Sequence, residues 1–557
     1  MTLSKLRWRF GIVRGLLCWW VLSNFCSGQD LLSVRLDQQF PTGEGKRTFH
    51  RVFNEEHWKP NETALIICDM WDSHHCVNAV RRVGELAPRI DYFAKQLRDR
   101  GVVVIHAPSS CMGFYEASGA RRRAQSIPKS KEFPDAIDTW CDRIPSEEAA
   151  AYPLDQSAGG EDDDPNEHSL WASKLAEVGR NPKAPWIRQT QEIAIDDERD
   201  YISDDGKQIW SILQHHRIQN ALLVGVHTNM CVLGRPFGLR RLASNGIHVA
   251  LVRDLTDTMY DPNAWPYVSH FSGTDLIVDH VERYVCPSTL SASLIGGSPF
   301  RFSGDKRARL GILIGEDEYK TEATIPVFAN VHLRQRFSVE FVFDSEKDKN
   351  LFPGVERLAD MDALLVSVRR RTMKQSDLEM IQRFVKSGKP VIGIRTASHA
   401  FSLKNQVPAV GHGVWPELDR EVWGGNYQGH YANDQKSQLG INKENQTHPL
   451  MKLGNWSTIK VTGTLYKTAP LAKGTTVFLE GAVDSESFQP VAWSHIRADG
   501  GRSFYTSLGH VDEFAQPAFA AFLSAAIHWI CDQPIPSEDE STMRIERYAS
   551  GRGKQRK

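Results

Sequence analysis

One cysteine and one aspartate in this 557-residue chain stand where a parallel sheet presents reactive groups. The segment Ala221 to Gly238, ALLVGVHTNMCVLGRPFG, carries Cys231 where a short apolar run gives way to a stretch that reads as a helix over Val232 to Asn245, ending at Gly246. Such a run is the pattern of a fully buried parallel strand. A thiol at a helix N-terminus faces unpaired backbone N–H groups and the positive end of the dipole. Both favour the thiolate, the form that attacks a carbonyl carbon. A second apolar run, Ala64 to Cys68, ends in Asp69 and is followed by MWDSHHC and a helix from about Asn78 to Arg100. In an open parallel sheet both residues fall at the carboxyl ends of their strands, where ligands bind. One is a base, the other a nucleophile.

On IICDMWD, GVHTNMCV and the order of elements between them, residues Asn61 to Cys286 resemble the isochorismatase-like cysteine hydrolases, which include nicotinamidases and other small-amide hydrolases. The resemblance implies an Asp-Lys-Cys triad with Asp69 as general base and Cys231 as nucleophile. It also implies a cis peptide at Val226 to His227 and an oxyanion hole built from the backbone N–H groups of His227 and Cys231. The family's lysine is missing. PWIRQTQEIAI offers Arg188 at the matching place, with Lys174 and Lys183 nearby as alternatives. Arginine can orient a carbonyl or stabilise an oxyanion, but it keeps its proton and cannot shuttle it as lysine can. Some members bind a divalent ion through Asp and His, which brings Asp72, His74, His75 and His106 into consideration. Their spacing does not reproduce the family's downstream Asp-x-His pair, so no metal ligand or cofactor is expected, with a divalent ion kept as the alternative.

These residues need a scaffold, and the length suggests two cores plus tails. The expected organisation is a signal peptide over 1–28, a hydrolase-like domain over 60–287, a linker over 288–305 rich in Ser, Gly and Pro, a second domain over 306–535 and a polar basic tail over 536–557. Between Lys129 and Pro185 the first domain carries a long polar insertion, of the kind that forms lids or disordered segments. From Arg309 a new alternation begins: RLGILIG, a helix over Thr321 to Gln335, FSVEFVF, DALLVSV, a helix over Lys374 to Ser387, and KPVIGI. Strands alternating with helices imply a parallel sheet covered on both faces. The fold class expected is therefore α/β, with two doubly wound parallel-sheet domains.

The second half, Arg309 to Pro534, resembles the trehalose-utilisation (ThuA-like) domain, a relative of the class I glutamine amidotransferase fold. The resemblance rests on KPVIGIRTASHAF, WGGNYQGH, His448-Pro449, PVAW and GRSFYTSLGH. Where an amidotransferase would offer a nucleophilic cysteine after the VIGI strand, this chain has Arg395, which also replaces a family histidine. Amidotransfer by that domain is therefore not expected. Tyr319, Arg395, His399, His430 and His510 remain as an expected polar crevice at the strand ends, a small-molecule site with carbohydrate as candidate ligand.

Lys plus Arg number 67 against 68 Asp plus Glu, a formal charge of −1 that argues against a general nucleic-acid or anionic-membrane binder. Basic residues Lys5 to Arg14 followed by GLLCWWVL and small residues near Ser27 read as a secretory signal, so the expected location is periplasmic or extracellular, with no membrane segment after cleavage. Of nine cysteines, Cys18 and Cys26 fall in that signal. The other seven lack the spacing of a disulfide scaffold or zinc ribbon. Two functions are compatible with this reading: an exported cysteine hydrolase of a small amide, its ThuA-like half binding a ligand, or a non-catalytic carbohydrate- or partner-binding protein that keeps both folds. Pocket walls in the first fold often come from a second subunit, so a homo-oligomer belongs among the expected states.

Overall fold

The computed structural model describes residues 31–484 and 486–555, the last four without side chains. The expected signal peptide lies outside the described residues. Strands β1 (Leu32–Pro41), β2 (Phe49–Trp58), β3 (Thr63–Cys68), β4 (Val103–Ala107), β5 (Tyr201–Ile202), β6 (Asn220–Val226), β7 (His248–Asp257) and β8 (Ser288–Thr289) make the first sheet. Their spatial order is β2-β1-β8-β7-β6-β3-β4-β5. The six strands from β8 to β5 are parallel, whereas β1 runs antiparallel to both β8 and β2. Along β3, Ala64, Ile66 and Cys68 enter the core on one face while Leu65 and Ile67 enter the core on the other. That two-sided burial is why this strand reads as an unbroken apolar run.

The second sheet comprises β9 (Ala308–Gly315), β10 (Phe337–Phe343), β11 (Ala363–Val368), β12 (Val391–Ile394), β13 (Ser437–Ile441), β14 (Thr475–Val483), β15 (Gln489–Ile496) and β16 (Arg502–Thr506). The order is β10-β9-β11-β12-β16-β15-β14-β13. Pairs from β10 through β16 are parallel, and the β16-β15-β14-β13 edge is antiparallel. Both halves are thus α/β as expected, but each sheet is mixed rather than purely parallel. Short connections join β1 to β2, β14 to β15 and β15 to β16, which permits antiparallel pairing of those neighbours.

Three segments depart from the sequence reading. The helix expected over Val232 to Asn245 is interrupted. Cys231 sits in a five-residue π-turn, Thr228–Val232, and an α-helix forms only over Leu239–Ser244. Pro236 explains the break, because it lacks an N–H and clashes with the preceding turn. The segment 288–305 is not a loose linker. It supplies β8 and the helix Ser291–Ile295, and it packs Phe300 and Phe302 against the first core. Nor do residues 536–555 form a free tail, since the helix Glu538–Gln555 reaches back to the first half. There Arg547 donates to the Asn263 carbonyl and lies 4.4 Å above the Tyr267 ring.

The two halves meet through buried charge. Arg51, on β2, contacts Asp279 and Glu282 of the helix His270–Tyr284 and Glu340 of β10. Arg357 of the second half bonds Asp37 of β1 at 2.7 Å, and Asp37 is shared with Arg253 at 2.6 Å.

Candidate functional site

Asp69 follows β3 with a left-handed φ of 48° and is completely buried. Its carboxylate is held on both sides. Oδ1 accepts the Ser109 N–H at 2.8 Å, from the loop after β4, and Oδ2 accepts Arg235 Nε at 2.9 Å. The Cys231 thiol lies close enough to the same carboxylate and to the His227 backbone for both to act on its ionisation. Because β3 and β6 are adjacent and parallel, with Cys68 opposite Gly225, the base and the thiol leave the sheet side by side. Gly225 has φ +106° and a Cβ there would fall 2.0 Å from the Cys68 carbonyl oxygen, so only glycine lets the strands close up beneath the site.

The turn that carries the thiol is rigidly tied. The Val226–His227 peptide is cis. Thr228 Oγ1 and Thr256 Oγ1 are 2.6 Å apart, and Thr256 donates to the Gly225 carbonyl at 2.7 Å. Asn229 closes two bonds to the Met259 backbone, at 2.8 and 2.9 Å.

Burial dominates the electrostatics. It raises the Asp69 carboxyl, against the opposing pull of Arg235, the thiol and Ser109. It also pushes the Cys231 thiol well up, with Asp69 adding to the rise and Arg235 opposing it. Burial thus favours the neutral thiol, while the Arg235 ion pair at 2.9 Å favours the carboxylate form of Asp69. Attack on a carbonyl requires the proton to pass to Asp69 as the C–S bond forms.

Arg188 is not the cation in contact with this pair. Its Nε lies 3.7 Å from Asp72 Oδ2, which Arg180 already binds at 2.8 Å, and its guanidinium lies 5.3 Å from the Phe114 ring centroid. Lys174 and Lys183 are exposed. Arg235, four residues after the cysteine, holds Asp69 instead. It was missed because the helix expected there hid the Pro236 break that turns the chain back toward the sheet. The only sequence signal was its proximity to Cys231.

His74, His75 and His227 gather with Trp71 and Trp186. Trp71 and Trp186 stack at 4.6 Å and 17°, His74 lies 5.7 Å from Trp186, and His227 meets His74 edge-on at 4.9 Å. Burial lowers His227 to about 3 and pulls His74 further down, so both rings are neutral. His106 is directed elsewhere, bonded to Gln189 and Asp200 at 3.0 and 3.1 Å. Asp72, His74, His75 and His106 do not converge as a ligand set. Among the described residues the cluster with metal-compatible spacing is Cys76, Asp162 and Asp163. There Asp163 accepts the Val77 and Asn78 N–H groups at the start of the helix Val77–Asp99, and Asp162 pairs with Arg82.

The 129–185 insertion covers the site. Trp171 donates to the His74 carbonyl at 2.8 Å, Tyr152 to the Asn229 carbonyl at 3.0 Å, and Gly160 approaches Met259 so closely that a Cβ would meet its carbonyl at 2.3 Å.

In the second half, Arg395 follows β12 with φ 46° and is 2% exposed. Tyr319 and His510 join it, with Tyr319 4.2 Å from the guanidinium and 5.7 Å from the His510 ring. His399 stacks on Tyr427 at 4.7 Å and 21°. His430 bridges Tyr466 through its backbone, but its ring is exposed and bonded to the Tyr431 carbonyl. Tyr427, Tyr466 and Arg370 belong to this cluster and were not anticipated, because they come from loops whose folding no periodicity marks.

Residues 313–530 match the family model described as ThuA, trehalose utilisation. No curated protein matches the chain. Among solved structures, a protein described as ThuA-like from Bacteroides uniformis is similar at 15% identity, covering 42% of this chain and 95% of its own, with a TM-score of 0.32. A cysteine hydrolase from Pseudomonas syringae pv. phaseolicola is similar at 15% identity, covering 43% and 93%, with a TM-score of 0.26. An isochorismatase family protein from Burkholderia thailandensis is similar at 14% identity, covering 42% and 96%, with a TM-score of 0.23. The family-model match covers residues 313–530, and the first α/β sheet lies ahead of it.

Proposed function

We propose that the protein is a cysteine hydrolase of a small amide or related carbonyl compound, with its reaction centre in the first half. The observation that carries this reading is the apposition of the Cys231 thiol and the Asp69 carboxylate, buried together at the ends of β3 and β6. In this scheme Cys231 attacks the carbonyl carbon and its proton passes to Asp69. The oxyanion is held by backbone N–H groups at His227 and Cys231, and the protonated Asp69 then returns the proton to the leaving amine. Water hydrolyses the acyl-enzyme by the same proton path. Arg235 fixes the carboxylate and lowers the thiol toward ionisation, but it cannot carry a proton. Neutral His74 and His227 with Trp71 and Trp186 supply an aromatic wall for an uncharged substrate. We further propose that the chain is exported, as the basic and apolar segments before residue 28 suggest, and that the ThuA domain binds a ligand.

A second reading, a binding protein that has lost its chemistry, is favoured by a pair whose contacting cation is the fixed Arg235 guanidinium rather than a proton-shuttling lysine and by the thiol's high proton affinity. Ammonia release from a panel of small amides by the full chain separates the two. Turnover that disappears in Cys231→Ala supports hydrolysis. No turnover, with no acyl adduct on Cys231 by mass spectrometry, supports the binding protein.

A further inference from the structure

The 129–185 insertion meets the Asp69–Cys231 pair through one cation. Arg235 holds Asp69 Oδ2 by Nε at 2.9 Å, and among the described residues its side chain has no second hydrogen-bond partner. A guanidinium tied at one atom is free to swing about it. A quarter of this side chain (25%) is open to solvent, although Asp69 is fully buried. Water and salt compete for a cation placed in that way. The second constraint on it is aromatic. The Arg235 guanidinium lies over the ring of Trp140, 5.7 Å from its centroid, within the range at which the face of an indole attracts a cation.

Trp140 is itself pinned to the turn that carries the thiol. Its indole packs directly on Gly234, where a Cβ would fall 2.5 Å from the ring atoms. The next residue, Cys141, donates its N–H to the Gly234 carbonyl at 2.8 Å. Arg241 donates to the Trp140 carbonyl at 3.2 Å and Arg240 to the Cys141 carbonyl at 3.1 Å. Arg240 is fixed in turn by both oxygens of the buried Glu147, each at 2.8 Å. The backbone on either side of the indole is thus anchored, yet the residue remains 42% exposed. Its contacts with Gly234 and Arg235 are made at the surface, as a cover over the ion pair rather than as part of the core.

We propose that Trp140 is a positioning residue of the Asp69–Cys231 centre, acting through Arg235: its ring covers the guanidinium and keeps Nε on the Asp69 carboxylate. The inference rests on the reading of Cys231 as the reactive thiol and gives the insertion a role beyond covering the site. Arg235 opposes the rise that burial imposes on both Asp69 and Cys231. Without the ring the guanidinium turns toward water, that opposition weakens, and the thiol gives up its proton less readily.

Iodoacetamide alkylation of Cys231 in the full chain at neutral pH, followed by peptide mass spectrometry, tests this. It needs no turnover, so its outcome is separate from that of the amide panel. Trp140→Leu should slow alkylation about three- to tenfold, the span of a partly desolvated cation–ring contact. Trp140→Phe keeps a ring face and should stay within about twofold of the unaltered chain. Added salt should slow Trp140→Leu more than the unaltered chain. The deciding comparison is made in Arg235→Gln, where Trp140→Leu should have no further effect, because two residues that act through one contact are not additive. A ring that served only packing or access would change the rate equally in both backgrounds. If Trp140→Leu does not fold, Trp140→Met serves with the same expectations. Undiminished alkylation in the folded variant used, or equal slowing with and without Arg235, would overturn the proposal.

Discussion

Arg235 Nε and Asp69 Oδ2, 166 residues apart, meet at 2.9 Å, and this contact identifies which cation stands at the Asp69–Cys231 pair. The sequence offered Arg188, but that guanidinium faces Asp72. An electrostatic consequence separates the two arginines. Arg235 lowers both Asp69 and Cys231 against burial, so its removal makes the thiol harder to ionise.

Arg235→Gln should therefore slow iodoacetamide alkylation of Cys231 at neutral pH by about tenfold or more, as expected for losing a charged hydrogen bond. Arg188→Gln should leave the rate within about twofold, since that group does not touch the pair. Equal slowing in both variants would return Arg188 to the site.

A pH-dependent effect is expected in the second half. Burial raises the Asp419 carboxyl from its ordinary 3.8 to about 6, with the Tyr427 N–H opposing the rise. The folded chain then binds a proton that the unfolded chain releases, so this group's contribution is fully present below pH 3.8 and lost as pH rises through about 6. Asp419→Asn, which fixes a neutral side chain, should raise Tm at about pH 7.5 and lose that advantage near pH 4. An increment that does not change between those two pH values would contradict this assignment.

The interface predicts how the halves depend on each other. Arg51 is shared by Asp279, Glu282 and Glu340, and Arg51→Met leaves all three without it. Removing one partner from a buried ionic cluster costs about 3–5 kcal/mol. Urea unfolding should show a loss of that order, and cleavage within 288–305 should leave a destabilised first half. A change under about 0.5 kcal/mol, typical of surface substitutions, would mean that the cluster does not hold the halves together.

What the sequence made legible follows from how each feature is encoded. β3, β6, β9 and β11 were visible because burial on both faces makes each an unbroken apolar run. Asp69 and Cys231 were visible because each follows such a run. The β1–β2 hairpin went unread although Leu32, Val34 and Leu36 alternate with more polar neighbours, a period of two that marks a strand covered on one face. Arg235, Ser109, Arg370 and Tyr427 lie on loops. Their contacts depend on where a chain break such as Pro236, or a left-handed residue such as Arg395, redirects the backbone, and no local period records that.

The most direct test of the reaction centre is hydrolysis by Cys231→Ala beside the unaltered chain, on whichever small amide the panel shows to be turned over. Cys231 is buried but small, and its truncation removes the nucleophile with little loss of packing. The account predicts a folded variant, with an unchanged circular dichroism spectrum, and no ammonia release above background. A folded Cys231→Ala protein that still releases ammonia at the original rate would contradict it.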